Sequence, residues 1–555
     1  MRKYKNNWVN RLIRRFRQKW AIQLIHDKVT EYVIYVPESG KQDQYKLIDT
    51  CAQMQSYIEK ATGVVIPMVL VETDSKKIVV REHKSNHPDN YKVESSGNDI
   101  IISGGSIQGT QYGVYFFLDK FFGIRWFSPD EIGEHIPKIE ESSFWKPIRI
   151  NSTPDFNTRT INQLAGDEHS NASITQWSLR NGLGDYVGMR HNHNQHNIIT
   201  PDYFEDHPEW FAMNSKGIRV KPELKDTSRD TKYWNYKLCL SNKEMWPEFA
   251  KQTILLYDKY PERKTISISP TDGGAFCKCP ECKALTENGT TEYIESYTRL
   301  TLDFYNGVAE IVASTRPDIV MGGYIYGYYK KFPDNPNVYV HPNLRLILAA
   351  NSARRLYRLP YRETWDELVK DWGEVVNFAV YYDFPCWLWD GWLIPSPPNK
   401  KVLSHMIPML KENNVEGVFL YGCMPWRTGM AGNWIMSKLM WNANANLDEL
   451  YNEFFSKCYG KGGIYIQEMY EHIESEFEIY YQDVKNHPYK SNDEMYKLIT
   501  RNLKFFGECY NKAVDAQPDG IENERIMLMG KTLHIAYWVL YSKGYVDIEG
   551  NPIIQ

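Results

Sequence analysis

The sequence predicts an α/β protein: a (β/α)8 TIM-type barrel preceded by an N-terminal α/β sandwich and followed by a C-terminal helical module. Two observations carry this. Between about Pro154 and Asn446, apolar β-type runs alternate with helical segments over roughly 290 residues, an order that calls for a parallel sheet. After Asn446 the strand signals stop and only segments of helical periodicity follow. A chain of 555 residues exceeds one ordinary core. The expected division is a basic extension over 1–29, an α/β domain over 30–150, the barrel over 151–445 and the helical module over 446–555.

In the α/β domain, EYVIYVPE reads as a strand and YKLIDTCAQMQSYIEKATG as an amphipathic helix stopped by Gly63. VVIPMVLVE and KKIVVRE are further expected strands. YKVESSGNDIIISGG predicts a hairpin turning at Gly97-Asn98-Asp99, followed by the helix TQYGVYFFLDKFFG and the strand IRWF. The barrel strands are read at KTISISP, IVMGGYIYG, LRLILAAN, NFAVYYDF and VEGVFLYG, with helices such as YTRLTLDFYNGVAEIVAST and KKVLSHMIPMLKENN between them. An open doubly wound sheet is the competing architecture, but no glycine-rich phosphate loop follows the early strands, and no cofactor is expected. The terminal module comprises LDELYNEFFSKCYG, YIQEMYEHIESEFEIYYQDV, DEMYKLITRNLKFFGECYNKAV and ERIMLMGKTLHIAYWVLYSK.

Charge and composition narrow the partners. A formal net charge of −4 on a chain with 65 basic and 69 acidic residues gives no field for nucleic acid. No run reaches the roughly 18 apolar residues that a membrane span needs. The first 18 residues are basic, and WAIQLI after them is too short for a signal-peptide core, so this terminus does not demonstrate export. The positive bias is aromatic: 17 Trp and 39 Tyr, many in turn-rich stretches after strands. Rings with a polar edge match the flat C–H faces and hydroxyls of sugars, which makes a glycan the expected partner.

Polar residues just after a barrel strand face the site. That rule selects Asp272 in SISPTDGG and Asp383 in AVYYDFP as the carboxyl pair that glycosidic cleavage needs, one as proton donor and the other as nucleophile or base. The structural alternative for each is an Asp that caps a helix or holds a turn. Expected substrate contacts are His191 and His193 in MRHNHNQH, Glu209 in HPEWF, and Tyr326, Tyr382, Trp387, Trp389, Tyr421 and Trp434. Cys277, Cys279 and Cys282 in FCKCPEC, with Cys239, have the spacing of a structural zinc site or a disulfide brace, and no firm metal assignment follows from spacing alone.

These residues also carry a resemblance. ATGVVIPMV, GTQYGVYFFLDKFFGIRWFSPDEIGEHIP, HNH followed by YFEDHPEWFAM, LCLSN, SPTDGGAFCKCPEC and NWIMSKLMWNANANLDELYNEFFSKCYG occur in order across about 31–460. The chain thereby resembles a bacterial, glycoside hydrolase-like family of largely unknown function, the domain of unknown function 4838 type, with an N-terminal domain similar to that of family 67 α-glucuronidases. Some members resemble endo-β-N-acetylglucosaminidases. The resemblance implies a glycoside hydrolase, extracytoplasmic, on hexosamine-containing glycans, with α-glucuronidase-like action on uronic-acid-substituted glycans or non-catalytic glycan binding as alternatives. A uronate would call for an arginine, and Arg190, Arg354, Arg355 and Arg427 are available. The α-glucuronidases carry their general acid in a Ser-Glu-Gly after the fourth strand, which maps onto Thr271-Asp272-Gly273. The β-hexosaminidases have adjacent Asp and Glu there, and Gly273 takes the second place, which leaves Glu209 or Glu292 as other sources of an acid.

Overall fold

The structure, a computed structural model, describes residues 21–162, 169–185, 187–190, 192–224, 233–234, 236–290, 293–335, 337–350, 356–376, 380–383, 400–421, 426–483 and 492–553. A six-stranded mixed sheet comes first, built from β1 (Tyr32–Tyr35), β2 (Met68–Val69), β3 (Lys76–Glu82), β4 (Tyr91–Ser96), β5 (Asp99–Gly104) and β6 (Arg149–Ser152) in the order β6-β4-β5-β3-β1-β2. The β4–β5 hairpin closes at Gly97, whose φ of +60° needs glycine. Only Met68-Val69 of the expected strand VVIPMVLVE pairs with β1, because Pro67 has no N–H to extend the ladder. Helices α1 (Tyr45–Thr62) and α2 (Ile107–Phe122) cover the sheet. The first ends at left-handed Gly63, and the second is capped by the Ser106 side chain. Ala21–Ile25, grouped with the basic extension in the sequence, forms a buried strand paired with Ser142–Trp145.

The second sheet holds β7 (Thr158–Asn162), β8 (Gly184-Asp185), β9 (Thr265–Ser267), β10 (Val320–Tyr326), β11 (Leu344–Ala349), β12 (Val380–Asp383) and β13 (Gly417–Tyr421), in the order β8-β7-β13-β12-β11-β10-β9. All neighbours are parallel except the short edge strand β8. Residues 188–190 and 192–194 run along the other edge: the Thr265 hydroxyl donates to Gly188 O at 2.9 Å, and Asn194 N donates to Ser269 O at 3.1 Å. The result is a barrel-type sheet in a curled half-barrel form, with six parallel strands among the described residues.

Helices α3 (Asn171–Arg180), α4 (Trp246–Asp258), α5 (Thr298–Thr315), α6 (Leu359–Val375), α7 (Lys400–Glu412) and α8 (Trp426–Trp441) accompany these strands, and α9 (Leu447–Tyr459), α10 (Gly463–Asp483), α11 (Asn492–Ala516) and α12 (Gly520–Ser542) follow. No helix among the described residues is long and apolar enough to cross a membrane.

Buried cations join these layers. Arg159 of β7 pairs with Asp89 at 2.8 Å, and Arg125 donates through Nε and Nη2 to Glu453 of α9 at 2.9 and 2.6 Å. Arg525 of α12 donates to the carbonyls of Ile132, Glu134 and Cys458. A fully buried guanidinium is tolerated only when its donors are met in this way.

Candidate active site

The two glycines of β10 reveal which face of the sheet points inward. A Cβ on Gly323 would lie 2.6 Å from the Tyr305 ring of α5, so that position faces the helix layer. One on Gly322 would lie 2.8 Å from Arg190 O and 3.5 Å from Ile347, inside the curl. Alternation along the strand then places Tyr324 and Tyr326 on the inner face with Gly322.

At the carboxyl end of the sheet these rings meet others. Tyr324 lies 5.2 Å from His193, 6.2 Å from Tyr326 and 6.1 Å from Tyr382, and Tyr382 stacks on Phe419 at 5.2 Å. Tyr326 is also 5.9 Å from His193. Tyr324 and Phe419 are buried, whereas His193, Tyr326 and Tyr382 stay partly exposed, forming an aromatic mouth with polar edges. His193 Nδ1 faces the Pro270 carbonyl, which can only accept. In the neutral ring Nδ1 therefore carries the proton and Nε2 is the acceptor.

Asp272 follows β9 on a loop held from beneath. Its carboxylate accepts the Gly273 N–H at 2.8 Å and is exposed. Gly273 has φ +87°, and a Cβ on Gly274 would lie 2.4 Å from the Tyr328 ring, so the turn requires both glycines. Lys237, 3% exposed, donates its ammonium to the Thr271 carbonyl, to Thr271 Oγ1 at 3.1 Å and to the Asp272 carbonyl at 2.8 Å. Burial pushes its pKa down to about 7, and the Asp272 carboxylate opposes that shift. The Phe276 ring lies 5.3 Å from the same ammonium and stacks on Tyr297 at 4.3 Å. Beyond the Tyr328 ring opens a cavity of about 690 Å³ whose walls include Tyr293, Phe332, Tyr361 and Trp365. Another, of about 650 Å³, lies between α2 and β7 with Gln108, Gln111 and Arg159 in its lining, away from these residues.

The family model described as Domain of unknown function (DUF4838) matches residues 128–471. The chain belongs to the DUF4838 family. No curated protein matches it. Among solved structures it is similar to a family GH115 4-O-methyl-α-glucuronidase with specificity for decorated arabinogalactans, at a TM-score of 0.55 and 10% identity over 94% of this chain and 73% of the other. It is also similar to a family 89 glycoside hydrolase from Clostridium perfringens, solved with its substrate GlcNAc-α-1,4-galactose, at a TM-score of 0.50 and 10% identity over 91% of this chain and 62% of the other. The fold is thus one that glycoside hydrolases use.

Several expected site residues of this DUF4838 chain lie elsewhere than the mouth. Asp383 is 0% exposed and accepts a hydrogen bond from the Tyr381 hydroxyl. Tyr381 packs edge-on to Trp365 of α6, so the Tyr381–Asp383 face is turned to the helix layer while Tyr382 between them faces inward. Asp383 thus lies buried on the side of β12 that carries Tyr381, opposite to the face of Tyr382. Trp434 is also buried: it is 0% exposed, with rings 5.5 Å from Phe127 and 5.9 Å from Phe454. Glu209 is partly exposed, and its carboxylate pairs with His207 at 3.0 Å. Arg427 donates to Thr532 of α12 at 3.0 Å, and the exposed Arg190 enters the sheet through its N–H, which donates to Thr265 Oγ1.

His191, Trp387, Trp389, Glu292, Asp390, Arg354 and Arg355 lie outside the described residues, as does the side chain of Tyr421. Sequence reasoning missed Tyr324, Phe419 and Lys237. The first two are each two residues before a selected tyrosine, a spacing that shares a face. Lys237 stands between Tyr236 and Leu238, in an apolar surrounding where a lysine needs acceptors. The four cysteines, expected to converge, are buried, with their sulfurs within 4.8 Å of one another.

Proposed function

We propose that this protein hydrolyses glycosidic bonds in hexosamine-containing glycans at the barrel mouth, with a β-N-acetylglucosaminidase-like activity and Asp272 as proton donor. The observation that carries the reading is the exposed Asp272 on a rigid loop at the strand end that also holds the His193, Tyr324, Tyr326 and Tyr382 cluster. The glycoside hydrolase fold supports it. The inward-turned tyrosines offer ring faces to sugar C–H surfaces and hydroxyls to polar groups.

With Asp383 on the other face of its strand, the reading takes Asp272 as the carboxyl that acts at the mouth. One carboxyl suffices when the substrate supplies its own nucleophile. The 2-acetamido oxygen attacks the anomeric carbon, the bond to the leaving oxygen breaks, and Asp272 gives that oxygen its proton. Water then opens the resulting oxazolinium ion and returns a proton to Asp272. This route is available to a 2-acetamido sugar and not to a uronate. The uronate alternative wants a bidentate arginine, and Arg427 is committed to α12.

The test is turnover on N-glycans, aryl N-acetylglucosaminides and aldouronic acids. Release of N-acetylhexosamine-terminated products is expected, and Asp272→Asn should lower kcat on a natural glycan by about two to four orders of magnitude with KM little changed. Uronic acid release overturns the substrate class. Glycan binding without turnover makes the protein a lectin-like binder. Near-normal turnover of Asp272→Asn removes the role of Asp272.

A further inference from the structure

Two chain segments that frame the Asp272 loop meet at four sulfurs. Cys239 lies two residues after Lys237, and Cys277, Cys279 and Cys282 lie on the far side of Asp272. All four are at most 2% exposed. Cys239 Sγ lies 3.6 Å from Cys279 Sγ and 3.9 Å from Cys282 Sγ. Four thiolates around one ion at zinc–sulfur distances have tetrahedral edges of about 3.8 Å. The two Cys239 separations match that figure and all four sulfurs lie within 4.8 Å of one another, whereas a disulfide would draw one pair together and leave two thiols apart.

The surroundings supply what a tetrathiolate needs. The Met213 N–H points at Cys277 Sγ at 3.2 Å and the Cys282 N–H at Cys279 Sγ at 3.5 Å. The Ser241 hydroxyl lies 3.0 Å from Cys282 Sγ, and the Arg219 guanidinium is close enough to Cys239 to interact with it electrostatically. N–H donors and a cation offset the charge of deprotonated sulfurs. Cys279 also caps the short helix Pro280–Ala284, which fixes the spacing of the Cys-x-x-Cys turn. These groups hold the site independently of any catalytic reading.

We propose that Cys239, Cys277, Cys279 and Cys282 bind one zinc ion, which locks the segment carrying Lys237 to the loop carrying Asp272. With four protein ligands and no open position, the ion is structural, and none of the four thiols is a nucleophile.

The test uses the full chain purified without chelator. Elemental analysis should find about one zinc per chain, released when a mercurial blocks the thiols. Cobalt exchanged into the site should give the visible bands of a tetrahedral thiolate complex. Cys279→Ser should weaken metal retention by at least tenfold, while Cys509→Ser, remote in α11, keeps the full complement. Metal-free protein with free thiols or a Cys239–Cys279 or Cys239–Cys282 disulfide by mass spectrometry overturns the proposal, as does iron in place of zinc. These measurements on the unaltered protein decide the matter even if Cys279→Ser fails to fold, and none depends on glycan turnover.

Discussion

Lys237 shows what one buried charge does to the loop that presents Asp272. Its ammonium meets three oxygens, yet burial holds its pKa near 7, against about 10.4 for a lysine in an unfolded chain. Between those two values the unfolded chain binds more protons than the folded one, so stability rises with pH from about 7 to about 10. Below about 7 the penalty is fully present. Lys237→Met removes this titration and leaves the Thr271 and Asp272 carbonyls without their donor, at about 1–3 kcal/mol each. The variant should be less stable at pH 9, with the gap narrowing toward pH 6. Urea midpoints across that range check this, and parallel curves for the two proteins would refute the lowered pKa. At this scale the sequence showed the turn that carries Asp272, because Asp-Gly-Gly after a strand is turn chemistry. It did not show Lys237, whose acceptors lie 34 and 35 residues away.

Within an element, direction is what the sequence conceals. Val380–Asp383 and Val320–Tyr326 are strands that a parallel sheet buries on both faces, so neither shows the apolar–polar alternation that would mark an inside. The sequence therefore located β10 and β12, and the choice of Tyr326 and Tyr382 rested on their place at the strand end, with no pattern to show which face turns inward. The structure decides through contacts: Gly323 against Tyr305 of α5, and Tyr381 against Trp365 of α6. Asp383 follows the outward set. Tyr381→Phe deletes a hydrogen bond to a charged group and should cost about 1.5–3 kcal/mol, with kcat changed by no more than a few-fold. Asp383→Asn should likewise act on stability. An Asp383→Asn protein that melts normally but has lost turnover would show that Asp383 reaches the substrate and that the face assignment is wrong.

Across the whole molecule, changes of periodicity are what the sequence offers for its expected blocks at 30–150, 151–445 and 446–555. What joins the layers was not legible, because the groups involved are hundreds of residues apart and each reads alone as a surface charge. Arg525 is the clearest case. It sits in ERIMLMGK on α12 as an ordinary helical arginine, yet it is 0% exposed and its fork satisfies Ile132 and Glu134 beside the first sheet and Cys458 at the end of α9. Arg125–Glu453 and Arg159–Asp89 add further ties between the first sheet and the elements that follow. Removing one partner of such a set leaves buried carbonyls without donors and a space that packing does not refill. Arg525→Ala should therefore cost about 3–5 kcal/mol. Its consequence should also be spatial: α12 and the 131–135 segment lose their common anchor, so amide exchange should quicken in both while the residues around Asp272 and the cysteines keep their protection. Arg525→Lys keeps the charge but cannot reach three carbonyls in a plane, so it should recover less than half of the loss. Hydrogen exchange on the two variants measures this directly, and protection lost uniformly along the chain, or in neither segment, would show that Arg525 is not the tie between them.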